Sequence, residues 1–196
     1  MVQDEQDYNA FLGGDQAGFE RLVLRYKDGL IQFINRYVRD LYQSEDLAQD
    51  VFVEVLLHPG RYRVGTSFKT YIYTIGHNRA VDYIRKNARL TYVGEYEETS
   101  TGEQHELLVQ EEALLEEKVI KEEEKRILYH TIAKLKPEYG NALYLIDIAG
   151  LSYADTAKVL KKSEGQVKIL IHRARKKLKQ KLEEEGNVLG LPGKLP

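Results

Sequence analysis

The chain has no cysteine, no apolar run of membrane-spanning length and a net charge of only −2 across 196 residues. Without cysteine, disulfides, thiol redox sensing and zinc fingers of the Cys type are excluded. No stretch reaches the ~18 consecutive apolar residues that a transmembrane helix needs. The acidic opening MVQDEQD carries neither a positive n-region nor an apolar h-region, so no secretory signal is expected and a cytoplasmic location is the default. Histidines at 58, 77, 105, 130 and 172 show no HExxH or comparable metal spacing. There is no G-x-S-x-G and no glycine-rich phosphate loop, and Glu97-Glu98 and Glu122-Glu123-Glu124 read as charge runs rather than a positioned pair. No enzyme activity, metal or cofactor is expected.

The small net charge hides a segregation. Residues 1–90 carry 12 basic and 12 acidic side chains, residues 91–126 carry 4 and 12, and residues 127–196 carry 13 and 7. A neutral segment, an acidic connector and a basic segment follow one another, and that asymmetry points to a polyanionic partner for the last.

The most organised stretch runs from Leu151 to Leu182. Ser152 followed by Asp155 is a capping-box signature, and Ala154, Ala157, Val159 and Leu160 give a helix with a small-residue face. Ser163 with Gln166 repeats the signature and starts a second helix. Val167, Leu170, Ile171, Ala174 and Leu178 then form its buried stripe, leaving Lys168, Arg173, Arg175, Lys176, Lys177, Lys179 and Lys181 on other faces. Glu164 is the only acid between Ser163 and Lys181. A capped helix pair with a basic second member fits a helix-turn-helix whose recognition helix enters a major groove.

The first half reads as helices. After a Gly13-Gly14 break, Phe19, Leu22, Val23, Tyr26, Leu30, Phe33, Ile34 and Tyr37 keep a helical stripe. Ser44 is the expected cap of the next helix, with Leu47, Val51, Val55 and Leu56 inward and Asp46, Gln49, Asp50 and Glu54 on an acidic outer face. Residues 58–65 form a loop by their Pro and Gly content. Ser67 is the expected cap of a long helix to Arg85, with Phe68, Tyr71, Ile72, Ile75, Val81 and Ile84 inward. Gly140, inside a later helix, carries a cost of about 1 kcal/mol relative to alanine.

Four motifs in this first half, Gly14-Asp15, FERLVLRY at 19–26, SEDLAQDVF at 44–52 and SFKTYIYTIGHNRAVDYIR at 67–85, resemble region 2 of bacterial RNA polymerase sigma factors of the extracytoplasmic-function (ECF) group. LKPEYGNALYLIDIAGLSYADTAKVL at 135–160, with the helix after it, resembles region 4 of the same group. The resemblance implies an all-α fold of two small helical domains joined by an acidic linker: residues 1–90 as region 2, 91–120 as linker, 121–185 as region 4, and a disordered tail over 186–196. It implies core RNA polymerase as partner, through the clamp of the largest subunit and the flap of the second, together with promoter DNA and an anti-sigma factor. Asp46, Gln49, Asp50 and Glu54 are then polymerase contacts. Arg61, Arg63, Lys69 and Arg79 offer phosphate partners at the −10 element, Tyr62 and Tyr73 stacking surfaces for unpaired bases, and Asn78 an amide edge. Tyr62 equally fits a core, and for Tyr71 the core is favoured. Ser163, Gln166, Lys168, His172, Arg173, Arg175 and Lys176 are the candidates toward the −35 element.

The chain departs from the family pattern in places. Leu56 and Tyr71 stand where tryptophan is usual, and His77 where a basic residue is common. Ile169 and Leu170 replace a small polar residue and an arginine in the recognition helix, which leaves Lys168, His172 and Arg173 to carry more of the −35 contact. A stand-alone helix-turn-helix regulator with an N-terminal sensing or dimerising domain is the alternative reading.

Overall fold

A computed structural model describes residues 2–63, 66–91 and 127–189, and every regular element in them is helical. In chain order they are α1 (Val2–Leu12), α2 (Gln16–Val38), α3 (Leu41–Leu57), a 3-10 turn (Pro59–Arg61), α4 (Phe68–Thr91), α5 (residues 127–133), α6 (Pro137–Leu143), a π-helical turn (Tyr144–Ile148), α7 (Tyr153–Leu160) and α8 (Glu164–Leu189). The all-α class is as expected. Apart from Thr91, the linker 91–120 lies outside the described residues, as do residues 190–196 of the tail. Residues 186–189 belong instead to the end of α8, four residues of helix where disorder was expected.

α2 is the spine. Its stripe of Leu22, Tyr26, Leu30, Phe33 and Ile34 is buried, with α1, α3 and α4 all packed against it. Asp15 caps it, accepting from the Ala17 N–H at 3.0 Å, and Arg39 ends it in the left-handed region at φ 58°. α3 starts earlier than expected. Its cap is Asp40, which accepts from the Gln43 N–H at 3.1 Å, and Ser44 sits one turn inside. The Ser44 hydroxyl donates back to the Asp40 carbonyl at 2.6 Å and is fully buried, a helix-interior role that removes it from capping. Two inward assignments also change: Leu56 and Ile84 are exposed. Ser67 caps α4 as expected, accepting from the Thr70 N–H at 3.3 Å.

α1 is tied to α2 by charge. Arg25 donates to Asp4 at 2.6 Å and to Asp7 at 2.7 Å, Arg21 donates to Asp7 at 2.7 Å, and the Tyr26 hydroxyl donates to Asp4 at 2.5 Å. Both carboxylates are buried, and each has a guanidinium partner, which is what makes their burial tolerable.

The two halves of the chain share a core. Tyr144, Leu145, Leu151 and Val159 are buried in the same cluster as the α2, α3 and α4 residues, whereas Leu143, Leu170, Ile171 and Ala174 form a second cluster with Ile132, Leu135 and Ala142. The π turn makes this division possible. Its Ala149 N–H reaches the Tyr144 carbonyl at 2.7 Å, five residues back, and the wider turn sends Tyr144 and Leu145 to one cluster and Ile146 to the other. Two glycines lie at the contact. A Cβ at Gly29 would lie 2.8 Å from the Tyr73 hydroxyl in the same half and 3.4 Å from the Tyr144 hydroxyl across the joint, and one at Gly140 would overlap the Arg36 guanidinium. The helix cost expected of Gly140 is thus offset by room for the half-buried Arg36 guanidinium.

The Asp7 carboxyl is held below its ordinary range chiefly by the hydrogen bond from Arg21, against the opposing effect of burial. A carboxyl depressed in the fold adds stability that is present above its unfolded pKa of 3.8 and is lost as pH falls through the folded value. Urea unfolding followed by circular dichroism should therefore show stability dropping below pH 4. In Asp7→Asn the part of that drop due to Asp7 should vanish, at the cost of lower stability at pH 7.

Candidate nucleic-acid interface

The outer face of α3 carries Asp46, Gln49 and Asp50, all exposed, beside exposed Tyr42, Val53 and Leu57. Glu54 does not join them. It is half-buried and turned toward the 3-10 turn and α4, where its Oε1 accepts from Arg61 Nη1 at 3.0 Å and its Oε2 from Arg79 Nη2 at 2.8 Å. Arg79 also stands 3.8 Å from Asp50. Beside this knot an open groove between α3 and α4 is lined by Leu47, Ile75, Asn78, Arg79, Tyr83 and Lys86. The Asn78 amide lies half-buried in it, with an Oδ1 that has no hydrogen-bond donor.

The loop after α3 is anchored by an aromatic cluster rather than offering its ring. Tyr62 is only 4% exposed, with ring centroids 4.6 Å from Tyr8 and 5.3 Å from Phe68, and its hydroxyl donates to the Thr66 carbonyl at 2.5 Å. Burial pushes its phenol up to about 12. Tyr73 is likewise buried at 3%, edge-on to Phe33 at 5.2 Å. Neither ring is available to stack on a base, so the stacking role expected of both is corrected to a core role. Alternation in the sequence explains the outcome for the loop: with Tyr62 driven inward, Arg61 and Arg63 on either side are left exposed. Tyr71, favoured as core, is half-buried against Tyr62 and Phe68. Lys69 is occupied too. Its ammonium donates to the Ala149 carbonyl at 2.7 Å, across the joint between the halves, and lies 5.8 Å from the Tyr26 ring. Nothing in the local pattern around Lys69 marks that pairing, because its partner is 80 residues away.

The helix-turn-helix forms as read. Ser152 accepts from the Asp155 N–H at 3.0 Å, and α7 ends with Lys161 in the left-handed region at φ 53°. In the second capping box the Gln166 N–H donates to Ser163 Oγ at 3.2 Å and the Ser163 N–H donates to Gln166 Oε1 at 2.8 Å. Both side chains are therefore committed to starting α8. Val167, Leu170, Ile171 and Ala174 are buried, so Leu170 is a core residue, whereas Ile169 is 55% exposed among the cations. Arg175 is held by the π turn: it donates to the two Asp147 carboxylate oxygens at 2.5 and 3.2 Å. Lys168 pairs with Glu164 at 2.8 Å on an open surface, where such a pair is weak. His172, Arg173 and Lys176 are exposed and have no ionic partner among the described residues. Asp147 is the residue that sequence reasoning missed, since its partner lies 28 positions on.

The family model described as Sigma-70 region 2 matches residues 22–90, and the one described as Sigma-70, region 4 matches residues 125–178. The ECF RNA polymerase sigma factor SigX of Bacillus subtilis is 31% identical over 168 residues, with 84% of each chain covered. The chain belongs to the ECF group of sigma-70 factors. The RNA polymerase sigma-H factor of Pseudomonas aeruginosa is 29% identical to this sigma factor, covering 92% of this chain and 94% of its own. The sigma factor's fold is shared by CnrH, solved in complex with the cytosolic domain of CnrY, at a TM-score of 0.62 and 24% identity over 93% of this chain and 98% of that one. RpoE of Bartonella quintana, solved with the anti-sigma factor NepR, superposes with a TM-score of 0.61 at 23% identity, covering 84% of this chain and 96% of that one. Sigma factors are transcription initiation factors, and among the described residues no helix is long and apolar enough to cross a membrane.

The core position of Tyr62 yields a direct check. Tyr62→Ala should lower the unfolding free energy by about 3 kcal/mol, as large-to-small aromatic substitutions in cores do. A loss under ~1 kcal/mol in urea titrations, with promoter melting selectively impaired, would return the ring to strand stacking.

Proposed function

We propose that this sigma factor docks on the clamp of core RNA polymerase through Asp46, Gln49 and Asp50, and reads a two-part promoter with its two halves. Residues 1–90 serve the clamp and the −10 element, residues 121–185 the −35 element, and residues 91–120 connect them. The observation that carries the reading is one chain holding a region 2 match and a region 4 match in order, each presenting an exposed charged face. Arg61, Arg63 and Arg79 meet backbone phosphate at the −10 strand, and Asn78, with its buried and unpartnered oxygen, faces a base edge. At the −35 element His172 and Arg173 lie early in α8, nearest the bases, and Lys168 and Lys176 contact phosphate. Ile169, exposed among them, meets a thymine methyl. Nucleotidyl transfer belongs to the polymerase, and the sigma factor itself performs no catalysis. It works in the cytoplasm, where an anti-sigma factor restrains it. In vitro transcription with core polymerase on a library of genomic fragments tests the whole reading. A stand-alone regulator would yield no sigma-dependent transcripts.

The clamp assignment has its own check. Asp46→Lys combined with Asp50→Lys should weaken competition for core polymerase at least tenfold while leaving the melting temperature within about 2 °C, since both side chains are exposed. Unchanged competition would remove the assignment. At the other end, Arg173→Ala should relax discrimination between promoter and random duplex by roughly 1–3 kcal/mol. Lys176→Ala should instead weaken both alike and reduce the salt slope by about 0.9. Equal losses on both DNAs for Arg173→Ala would reduce α8 to a phosphate binder.

A further inference from the structure

Glu54 lies on the helix assigned to the polymerase, yet its carboxylate faces the two arginines assigned to the promoter strand. Its side chain is 22% exposed, against 58% for Arg61 and 41% for Arg79, so it sits beneath them while they border solvent. Each of its oxygens takes one guanidinium, at 3.0 and 2.8 Å. The three residues come from three elements: α3, the 3-10 turn and α4. Arg63, one residue past that turn, is exposed and has no ionic partner among the described residues. Of Arg61, Arg63 and Arg79, the carboxylate holds two and leaves Arg63.

We infer that Glu54, with Asp50 a looser second anion 3.8 Å from Arg79, masks Arg61 and Arg79 in the free protein, so that a DNA phosphate reaching this face must displace the Glu54 carboxylate from two guanidinium groups. The inference rests on the proposed −10 strand contact of those arginines. Affinity for DNA of any sequence comes mainly from cations that replace the counterions of the phosphates. Where a cation already holds a carboxylate, binding exchanges one anion for another, and the freed carboxylate takes a cation back from solution. Both effects lower affinity for random sequence and flatten its dependence on salt. Contacts that read bases are untouched, because they do not compete with Glu54. The residue therefore acts as a positioning residue for the loop and as a filter against non-specific strands.

The test uses the full chain and a fluorescent single-stranded oligonucleotide of random sequence, with anisotropy titrations across a salt series. Glu54→Gln keeps the shape and the acceptor oxygen but loses the charge. It should bind about three- to tenfold tighter, the sum expected for two partly exposed ion pairs. Its slope of log affinity against log salt should steepen by ~0.7, one charge on a single strand. Adding Arg61→Ala and Arg79→Ala to Glu54→Gln should abolish the gain. Unchanged or weaker binding by Glu54→Gln, while the two arginine substitutions in the parent still weaken binding, overturns the masking role and leaves the strand contact standing. A gain that survives loss of both arginines assigns the effect to overall charge and also overturns it. If neither arginine substitution alters binding in either background, the strand contact fails and the masking role with it.

Discussion

The joint between the two halves hangs on Tyr144. Its hydroxyl donates to the Gly29 carbonyl at 2.7 Å, its ring lies 5.9 Å from Phe33 and 6.5 Å from Tyr73, and the Arg36 guanidinium stands 5.9 Å from its centroid. A buried phenol must donate its proton somewhere, and here it finds the Gly29 carbonyl, where a Cβ would stand 3.4 Å from the hydroxyl. Burial raises the Tyr144 phenol and lowers the Arg36 guanidinium from their ordinary values. Shape, hydrogen bonding and cation–π attraction all converge on one ring. Lys69, reaching from α4 to the Ala149 carbonyl, closes the same joint at its other side.

Charge counting and charge availability part company in this molecule. Arg61 and Arg79 share Glu54, Arg175 holds Asp147, Lys69 holds a carbonyl, and Arg21 and Arg25 neutralise the buried acids of α1. What remains open on the recognition helix is His172, Arg173, Lys176 and Lys177, with Lys168 and Lys179 loosely paired. A basic stretch therefore presents fewer usable cations than its composition implies.

Local signals in the sequence are legible because local physics makes them. The capping boxes at Ser152 and Ser163, the stripe from Val167 to Leu178 and the stripe along α2 depend only on neighbours within a turn or two. The failures are of another kind. Ser44 looked like a cap because Glu45 and Asp46 follow it, but Asp40 supplies an equal cap one turn earlier and the longer helix wins. Tyr62 and Tyr73 looked like stacking surfaces because they sit among cations, and only the positions of Tyr8, Phe33 and Phe68 show that both rings have a hydrophobic destination. Leu170 looked anomalous in a recognition helix, although the same stripe had already placed it inward. The pairings of Lys69 with Ala149, Arg79 with Glu54 and Arg175 with Asp147 span distances in sequence that no local pattern encodes.

The π turn at Tyr144–Ile148 has an implication for how this chain tolerates change in length. It holds one residue more than an α-helical turn, so deleting any one of the five would restore regular helix and rotate everything beyond by about 100° relative to what precedes it. Tyr144 and Leu145 would then no longer face α2 while Leu143 and Ile146 face α8. One of the two clusters would lose its contribution whichever way the segment settled. Substitutions here change a side chain; a single-codon deletion changes which half of the molecule the segment belongs to.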